Sequence, residues 1–286
     1  MLLSLVLELK PLDETGVPLT TGNAVHAWFI NAVAEKNWVM SSDLHRGDKE
    51  KPFTTSPIFG NFKAAGHFRF PSKNETYWIR LTSLSAELSD ILLGLSDGWV
   101  GKEFDILGQS FEITRVLSQA EQHSWAGQCS YEEIYNRWVT SVNSLPRKAS
   151  MVFYTPTTFR AGRKNIPLPF PKLFFSHLSA KWNQFSPIHL GSDIAQVLEE
   201  RVGISACDIE TRMFRFKNHF EVGFTGSCEF ITPGSTPDIW DKVMHLLCDF
   251  AFFSGVGAKT TMGMGQVRRL YGRKPAGQPS MVPESP

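Results

Sequence analysis

The sequence predicts an α+β fold of two tandem ferredoxin-like units that ends in a C-terminal glycine-rich loop. The chain has 286 residues and is 42% hydrophobic, which is enough for two cores of ordinary size. Periodic segments follow the order strand, helix, strands, helix, strand, and part of that order recurs after a polar crossing at residues 118–127. We therefore predict an N-terminal domain over residues 1–120, a C-terminal domain over 121–274 and a flexible tail over 275–286.

The first unit begins with an alternating apolar stretch that predicts a strand over residues 3–10. Apolar residues at helical spacing predict a helix over about 23–36, and a loop carrying residues 45–51 follows. The remaining predicted elements are short strands near 52–56, 66–70 and 76–81, a helix near 85–95 and a strand near 110–117.

The second unit begins with a predicted helix over residues 131–142 and a strand over 149–154. Helices are predicted over 173–182 and 193–202, and two long alternating strands over 209–216 and 220–231 flank a turn at 217–218. A helix over 240–253 leads into a last strand over 265–270.

Charge and cysteine usage bound the possible functions. The formal net charge is only +1, but residues 145–274 carry 17 Lys and Arg against 10 Asp and Glu, so we expect any nucleic-acid surface mainly on the second half. The four cysteines are far apart with no C-x-x-C pair, which predicts buried thiols rather than a zinc site or disulfides. No apolar run reaches the length of a membrane helix, and we expect a cytoplasmic protein without a membrane partner.

The most informative stretch, residues 252–266, combines four glycines and a lysine between a predicted helix and strand. Glycine-rich backbone can approach a phosphate and direct N–H groups at it, and a lysine and threonines add donors. The alternative is a tight turn that needs positive φ. An ATP-binding P-loop is excluded because alanine precedes the lysine and the order of helix and strand is reversed. The candidate anion-binding residues are Gly255, Gly257, Lys259, Thr260, Thr261, Gly263 and Gly265.

This stretch resembles the C-terminal signature of the CRISPR-associated repeat-processing endoribonucleases, a family of the RAMP superfamily. Residues 250–260 read F-A-F-F-S-G-V-G-A-K-T, and glycines follow at 263 and 265. Further similar segments are H-S-W-A-G at 123–127, T-P-T-T-F-R at 155–160 and L-P-F-P-K-L-F-F at 168–175. The resemblance spans residues 3–270 and implies tandem ferredoxin-like, RRM-like domains that bind RNA.

The resemblance also implies cleavage of precursor RNA within its repeats, without a metal or any other cofactor. In this chemistry a ribose 2′-hydroxyl attacks the adjacent phosphate and leaves a 2′,3′-cyclic phosphate and a 5′-hydroxyl. By similarity, His45 is the general acid or base and Lys51 the electrostatic stabiliser. His26, on the first helix, is the competing candidate, and its alternative role is packing against Trp28 and Phe29. A tyrosine that some relatives carry on this helix is absent here.

A basic segment after the predicted strand at 149–154 is a second RNA-binding candidate. It contains Arg160, Arg163 and Lys164 around Gly162, and the alternative is an ordinary exposed loop. The implied partner is repeat RNA, while other CRISPR effector subunits and a second copy of the chain are left open. The rival functions are a guide-RNA-binding subunit that does not cut RNA and a general RNA-binding module.

Overall fold

The computed structural model describes residues 1–46, 50–140, 145–216, 219–234 and 239–271. Two mixed α/β units follow one another along these residues. The predicted turn at 217–218 and the predicted tail at 275–286 lie outside the described residues, as do residues 47–49 of the predicted loop.

The elements of the first unit are, in chain order, β1 (Leu2–Pro11), β2 (Val17–Pro18), α1 (Gly22–Lys36), α2 (Trp38–His45), β3 (Phe53–Thr55), β4 (Lys63–Ala65), β5 (Phe68–Phe70), β6 (Tyr77–Ser83), α3 (Ala86–Ser96), β7 (Glu103–Ile106), β8 (Gln109–Leu117) and β9 (Gly127–Cys129). Its main sheet has the strand order β3-β6-β1-β8-β7, and all neighbouring strands are antiparallel. Strands β1, β3, β6 and β8 give the ferredoxin-like order, and β2, β5 and β4 form a separate small sheet.

The elements of the second unit are α4 (Tyr131–Tyr135), a π-helical turn (Asn136–Thr140), β10 (Lys148–Thr157), β11 (Phe159–Ala161), β12 (Lys164–Ile166), α5 (Pro171–Phe185), α6 (Ile194–Arg201), β13 (Gly203–Arg215), β14 (Phe220–Ile231), α7 (Ile239–Ser254), a 3-10 turn (Thr260–Met262) and β15 (Val267–Leu270). Its sheet has the strand order β13-β14-β10-β15, which repeats the topology of the first unit. The predicted α+β fold of tandem ferredoxin-like units is therefore confirmed.

Local sequence explains where several helices begin. Ser85 caps α3, since its hydroxyl accepts a hydrogen bond from the Leu88 N–H. Ser130 and Glu133 form a reciprocal capping box at α4. Pro171 occupies the first turn of α5, where its missing N–H costs nothing.

Each sheet buries one face under its helices. The N-terminal core joins β1 and β6 to α1 and α3, and the C-terminal core joins β10 and β14 to α5 and α7. A third, smaller cluster around Trp78 and Trp125 lies at the junction, against Phe252 of α7. The polar crossing predicted at 118–127 therefore ends in a buried tryptophan and in β9, which pairs with β1.

A buried arginine ties the two units together at this junction. Arg80 of β6 is fully buried and donates to the Ser4 hydroxyl at 2.8 Å, to the Trp125 carbonyl and to the side-chain oxygen of Gln266 at 2.9 Å. It also donates to the Phe252 carbonyl, and its guanidinium lies over the Trp125 and Phe252 rings. Carbonyl acceptors and π faces thus stabilise a cation that has no carboxylate against it among the described residues.

Three expectations are corrected by the structure. The loop expected to begin at residue 45 is preceded by a helix, α2, which ends at His45. The cysteines are not all buried, because Cys207 is exposed opposite Cys228 on the neighbouring strand. The basic segment at 160–164 is a short β-hairpin, β11–β12, rather than a plain loop. Within the described parts of the chain, no helix is long and apolar enough to cross a bilayer.

Candidate functional site

The glycine-rich loop between α7 and β15 is a tightly folded clasp. Its four glycines all have positive φ, from 60° at Gly255 to 94° at Gly263, and Lys259 is left-handed at 58°. A side chain at Gly265 would place its Cβ 2.1 Å from the Val256 carbonyl oxygen. The turn-forming explanation therefore accounts for every glycine, because each position needs this conformation or this space.

Most N–H groups of the loop are used inside the protein. The Gly255 N–H donates to the Ala251 carbonyl at 3.0 Å, the Gly257 N–H to Nδ1 of His177 at 3.4 Å and the Gly265 N–H to the Pro156 carbonyl at 3.2 Å. The sequence predicts that these glycines direct N–H groups at a phosphate. The structure gives three of them a shaping role instead, since their donors already have acceptors.

The loop closes against the N-terminal unit at the start of α1. A Cβ at Gly22 would lie 2.1 Å from the Met262 carbonyl oxygen, so α1 and the loop touch backbone to backbone. Gly263 takes part in the same contact, because a Cβ added there would lie 2.9 Å from the Gly22 Cα. The Thr55 hydroxyl of β3 donates to the Thr261 carbonyl at 2.8 Å. The predicted residues Thr261 and Gly263 therefore lie at the junction of the two units.

His26 is held at this junction by the same carbonyl. Its Nδ1 lies 2.8 Å from the Thr261 oxygen, and its ring stacks on Phe53 with centroids 5.7 Å apart. The stacking partner in the structure is Phe53, which also stacks on Phe29 of the same helix as His26. A carbonyl only accepts, so Nδ1 carries the proton and Nε2 of the neutral ring carries the lone pair. Burial lowers the pKa of His26, and the nearby His45 and Lys51 charges lower it further, against the opposing effect of the Thr261 carbonyl.

His45 and Lys51 lie within electrostatic range of His26, since the charges of both lower its pKa. His45 is the last residue of α2 and is exposed. The Lys51 ammonium is half-buried and donates to the Arg46 carbonyl, which fixes the lysine next to the end of α2. The two other sequence-predicted catalytic candidates are therefore within electrostatic range of His26, and the roles of all three stay a prediction.

Lys259 and Thr260 make their side-chain contacts with residues of the C-terminal unit. The Lys259 ammonium lies 3.3 Å from Nε2 of His219 and 3.8 Å from the Glu221 carboxylate, and it lies over the Phe216 ring. It therefore links the loop to the end of the β13–β14 hairpin. Thr260 is buried, and its hydroxyl accepts from the Lys181 ammonium at 3.2 Å.

The basic hairpin, which we define as Arg160, Arg163 and Lys164 on β11–β12, is exposed. Arg160 reaches a cavity of about 730 Å³ that Lys51 and the loop residues 257–262 also line. Of the predicted residues, the cavity is lined by Lys51, Arg160, Gly257, Lys259, Thr260 and Thr261. Its described lining does not include His26, His45, Gly255, Gly263, Gly265 or the hairpin-tip residues Arg163 and Lys164.

Sequence reasoning missed four residues that shape this site. Gly22, Thr55, His177 and Lys181 all contact the loop, and Lys181 also donates to the Ser254 carbonyl at 2.9 Å. A sequence signal exists only for His177 and Lys181. They are one helical turn apart and follow residues 168–175, one of the segments that resemble the family. In the described part of the chain, no group of three or more His, Cys, Asp or Glu side chains is placed to hold a metal ion.

Comparison with known proteins identifies the family. The model of the CRISPR Cas6 N-terminal domain matches residues 1–136, and the model of the CRISPR-associated endoribonuclease Cas6 matches residues 151–267. A Cas6 endoribonuclease of Streptococcus thermophilus is 27% identical over 42% of this chain, and one of Mycobacterium tuberculosis is 32% identical over 43%. These matches span 49% and 38% of the two relatives, so less than two thirds of each.

Solved structures agree over almost the whole chain. A structure described as a Cas6 product complex is 27% identical with a TM-score of 0.76, covering 94% of this chain and 100% of the other. Thermus thermophilus Cas6 is 26% identical with a TM-score of 0.71, covering 94% and 98%. A RAMP protein that binds different RNA substrates is 14% identical with a TM-score of 0.64, which shows the shared fold alone. The two family models together cover both units, and this chain therefore belongs to the Cas6 family of CRISPR-associated endoribonucleases.

Proposed function

We propose that this chain cuts CRISPR precursor RNA within its repeats by metal-independent attack of a ribose 2′-hydroxyl. The observation that carries the proposal is His26, which is held by the Thr261 carbonyl where the two units meet and lies within electrostatic range of His45 and Lys51. The products are a 2′,3′-cyclic phosphate and a 5′-hydroxyl. Structures that resemble this chain include one described as a Cas6 product complex.

The reaction needs a base for the 2′-hydroxyl, an acid for the leaving 5′-oxygen and positive charge near the phosphorane. His26 suits the base, because its Nδ1–H is held by a carbonyl and its lone pair on Nε2 faces outward from that bond. His45 is exposed at the end of α2 and suits the acid. Lys51 supplies the charge, and no tyrosine on α1 is needed for this division of roles.

The RNA path that we propose runs from the three catalytic candidates across the cavity to the basic hairpin. Arg160 lines the same cavity as Lys51, so phosphates on either side of the cut meet cations from both units. RNA is recognised through its phosphates, 2′-hydroxyls and unstacked bases, which matches a surface with mainly donor side chains.

The decisive experiment incubates the chain with labelled repeat RNA and excess chelator. One substrate is all-ribose, and a matched substrate has hydrogen in place of the 2′-hydroxyl at the cut. We expect cutting of the first substrate only, with a cyclic phosphate on the upstream product. His45→Ala loses the activity, while His67→Ala, an exposed histidine between β4 and β5, keeps it.

Two results would overturn the proposal. Cutting of the deoxy substrate would exclude 2′-hydroxyl attack. Tight binding of both substrates without cutting would favour a guide-RNA-binding subunit, the second candidate function. Undiminished cutting by His45→Ala would leave His26 as the principal acid or base.

A further inference from the structure

The cavity beside the glycine-rich loop has, besides Lys51, polar groups that the cleavage reaction does not use. Its walls are the loop, strand β11 and one face of α5, from which Leu173, Ser176, His177 and Lys181 project at successive helical turns. The histidine site lies across Thr261, whose carbonyl accepts from His26. Thr261 lines the cavity as well, so the two spaces share a wall.

Hydrogen-bond donors dominate the polar lining. Arg160, Lys259 and Lys181 line the cavity with Lys51, and Glu50 is the one carboxylate in the described lining. Lys181 is held in place by the Ser254 carbonyl at 2.9 Å and the Thr260 hydroxyl at 3.2 Å. Such a lining favours an anionic ligand that presents acceptors.

His177 adds a directional donor to this lining. Its Nδ1 accepts from the Gly257 N–H at 3.4 Å, which leaves the proton of the neutral ring on Nε2. Burial lowers the pKa of His177 well below its usual value, and the Lys181 charge acts in the same direction. The ring is therefore neutral near pH 7, with Nε2–H as its donor.

Apolar side chains complete the walls. Phe159, Leu173 and Met262 line the cavity together with the donors. A volume of about 730 Å³ lies within the range of pockets that bury a small ligand. Apolar walls with a few convergent donors match a nucleobase joined to a phosphate, rather than a phosphate alone.

We propose that this cavity binds a single unstacked nucleotide of the RNA, directly beside the phosphodiester that is cut. Its phosphate meets Arg160, and its base lies against Phe159 and Leu173 with an acceptor towards His177. This inference rests on the proposed function, because the nucleotide belongs to the same RNA. It assigns His177 as a specificity-determining residue, which favours bases with acceptor edges such as O6 and N7 of guanine.

The test measures binding rather than cutting. The RNA carries hydrogen in place of the 2′-hydroxyl at the cut and a single abasic site, which is moved through the positions flanking the cut. In wild type we expect one position where the lost base weakens binding by about 5-fold to 100-fold. In His177→Ala that penalty falls below about 2-fold, because base and ring act as a pair.

Ser176→Trp provides a second variant that fills the cavity and keeps the histidine, and its abasic penalty should also vanish. Ala180→Trp places the same side chain on an exposed position of α5 and should behave like wild type. A flat scan in wild type, or a penalty that persists in both cavity variants, would overturn the nucleotide pocket. If wild type cuts the ribose RNA but no abasic position weakens binding, the proposed function stands and the nucleotide pocket does not. If one abasic position weakens binding but the RNA is not cut, the nucleotide pocket stands and the proposed function does not. A wild-type chain that does not bind the RNA would overturn both.

Discussion

Replacing Gly22 by alanine tests the backbone contact that joins the two units. The new Cβ would lie 2.1 Å from the Met262 carbonyl oxygen and 2.9 Å from the Gly263 Cα. Ordinary van der Waals contact begins at 3.4 Å, so α1 and the loop must separate by about 1.3 Å. Both contacting groups are backbone, so no side chain can rotate away to relieve the contact.

Two effects on stability oppose each other, and their sizes decide the outcome. Alanine in place of glycine within a helix gains roughly 0.5–1 kcal/mol. Overpacking costs about 1–3 kcal/mol, so the free energy of unfolding should fall by about 0–2.5 kcal/mol in balance. The activity should suffer more, because the His26 to Thr261 contact of 2.8 Å is lost on such a separation. A displacement of about 1 Å at reacting groups costs on the order of 100-fold in rate.

Gly94→Ala is the matched control, because Gly94 lies in α3 and a Cβ there meets nothing within 4 Å. Urea unfolding and single-turnover cleavage are measured for both variants. Gly94→Ala should gain about 0.5–1 kcal/mol and keep the wild-type rate. If Gly22→Ala matches it in both measurements, the loop does not position the histidine and the reasoning is refuted.

Three further predictions concern titration and RNA affinity. The lowered pKa of His26 keeps the ring neutral, and thus able to act as a base, at lower pH. The acidic limb of the pH profile of the cleavage rate should therefore have its midpoint below pH 6.5. A midpoint above 6.5 would contradict the role of His26 as the base. Burial lowers the pKa of Lys181 to about 8, so the folded state binds fewer protons than the unfolded state between about pH 8 and 10.5. The unfolding free energy of wild type relative to Lys181→Met should therefore rise with pH across that window in urea titrations, and a constant difference would exclude the lowered pKa of Lys181. Alanine at all three positions of the basic hairpin should weaken RNA binding and reduce the slope of log affinity against log salt concentration by about 2. Filter binding at several salt concentrations measures both quantities. Lys102→Ala in the N-terminal unit should change neither.

Periodic segments explain why most of the fold could be predicted. Helices α1, α3 and α7 and the β13–β14 hairpin have long apolar patterns, and each was placed within a few residues of its observed bounds, except that β13 begins at Gly203. Helix α2 was missed because Asn37 ends α1 and also caps α2, accepting a hydrogen bond from the Met40 N–H. Its first residue, Trp38, is 73% exposed, so the segment shows no apolar stripe.

The site was predictable in its parts but not in its assembly. The glycine loop, His45 and Lys51 stand out through residue type and family resemblance. The contact of His26 with Thr261 joins residues 235 positions apart and depends on how the units pack, which no local pattern encodes. The same holds for Gln266, which accepts from Arg80 and donates to the Thr55 carbonyl at 3.2 Å. The sequence predicts phosphate contacts for the N–H groups of the loop glycines, because it does not show that the N–H groups of Gly255, Gly257 and Gly265 already have acceptors inside the protein.

The most direct test of the central claim measures single-turnover cleavage by His26→Ala, His45→Ala and the double variant, with chelator present. If the two histidines act as base and acid in one step, each single variant should lose about 10²-fold to 10⁴-fold in rate. The double variant should lose far less than the product of the two, because groups that work as a unit are not additive. Wild-type rates in both single variants, or losses that multiply fully, would contradict a shared catalytic step at the junction of the two units.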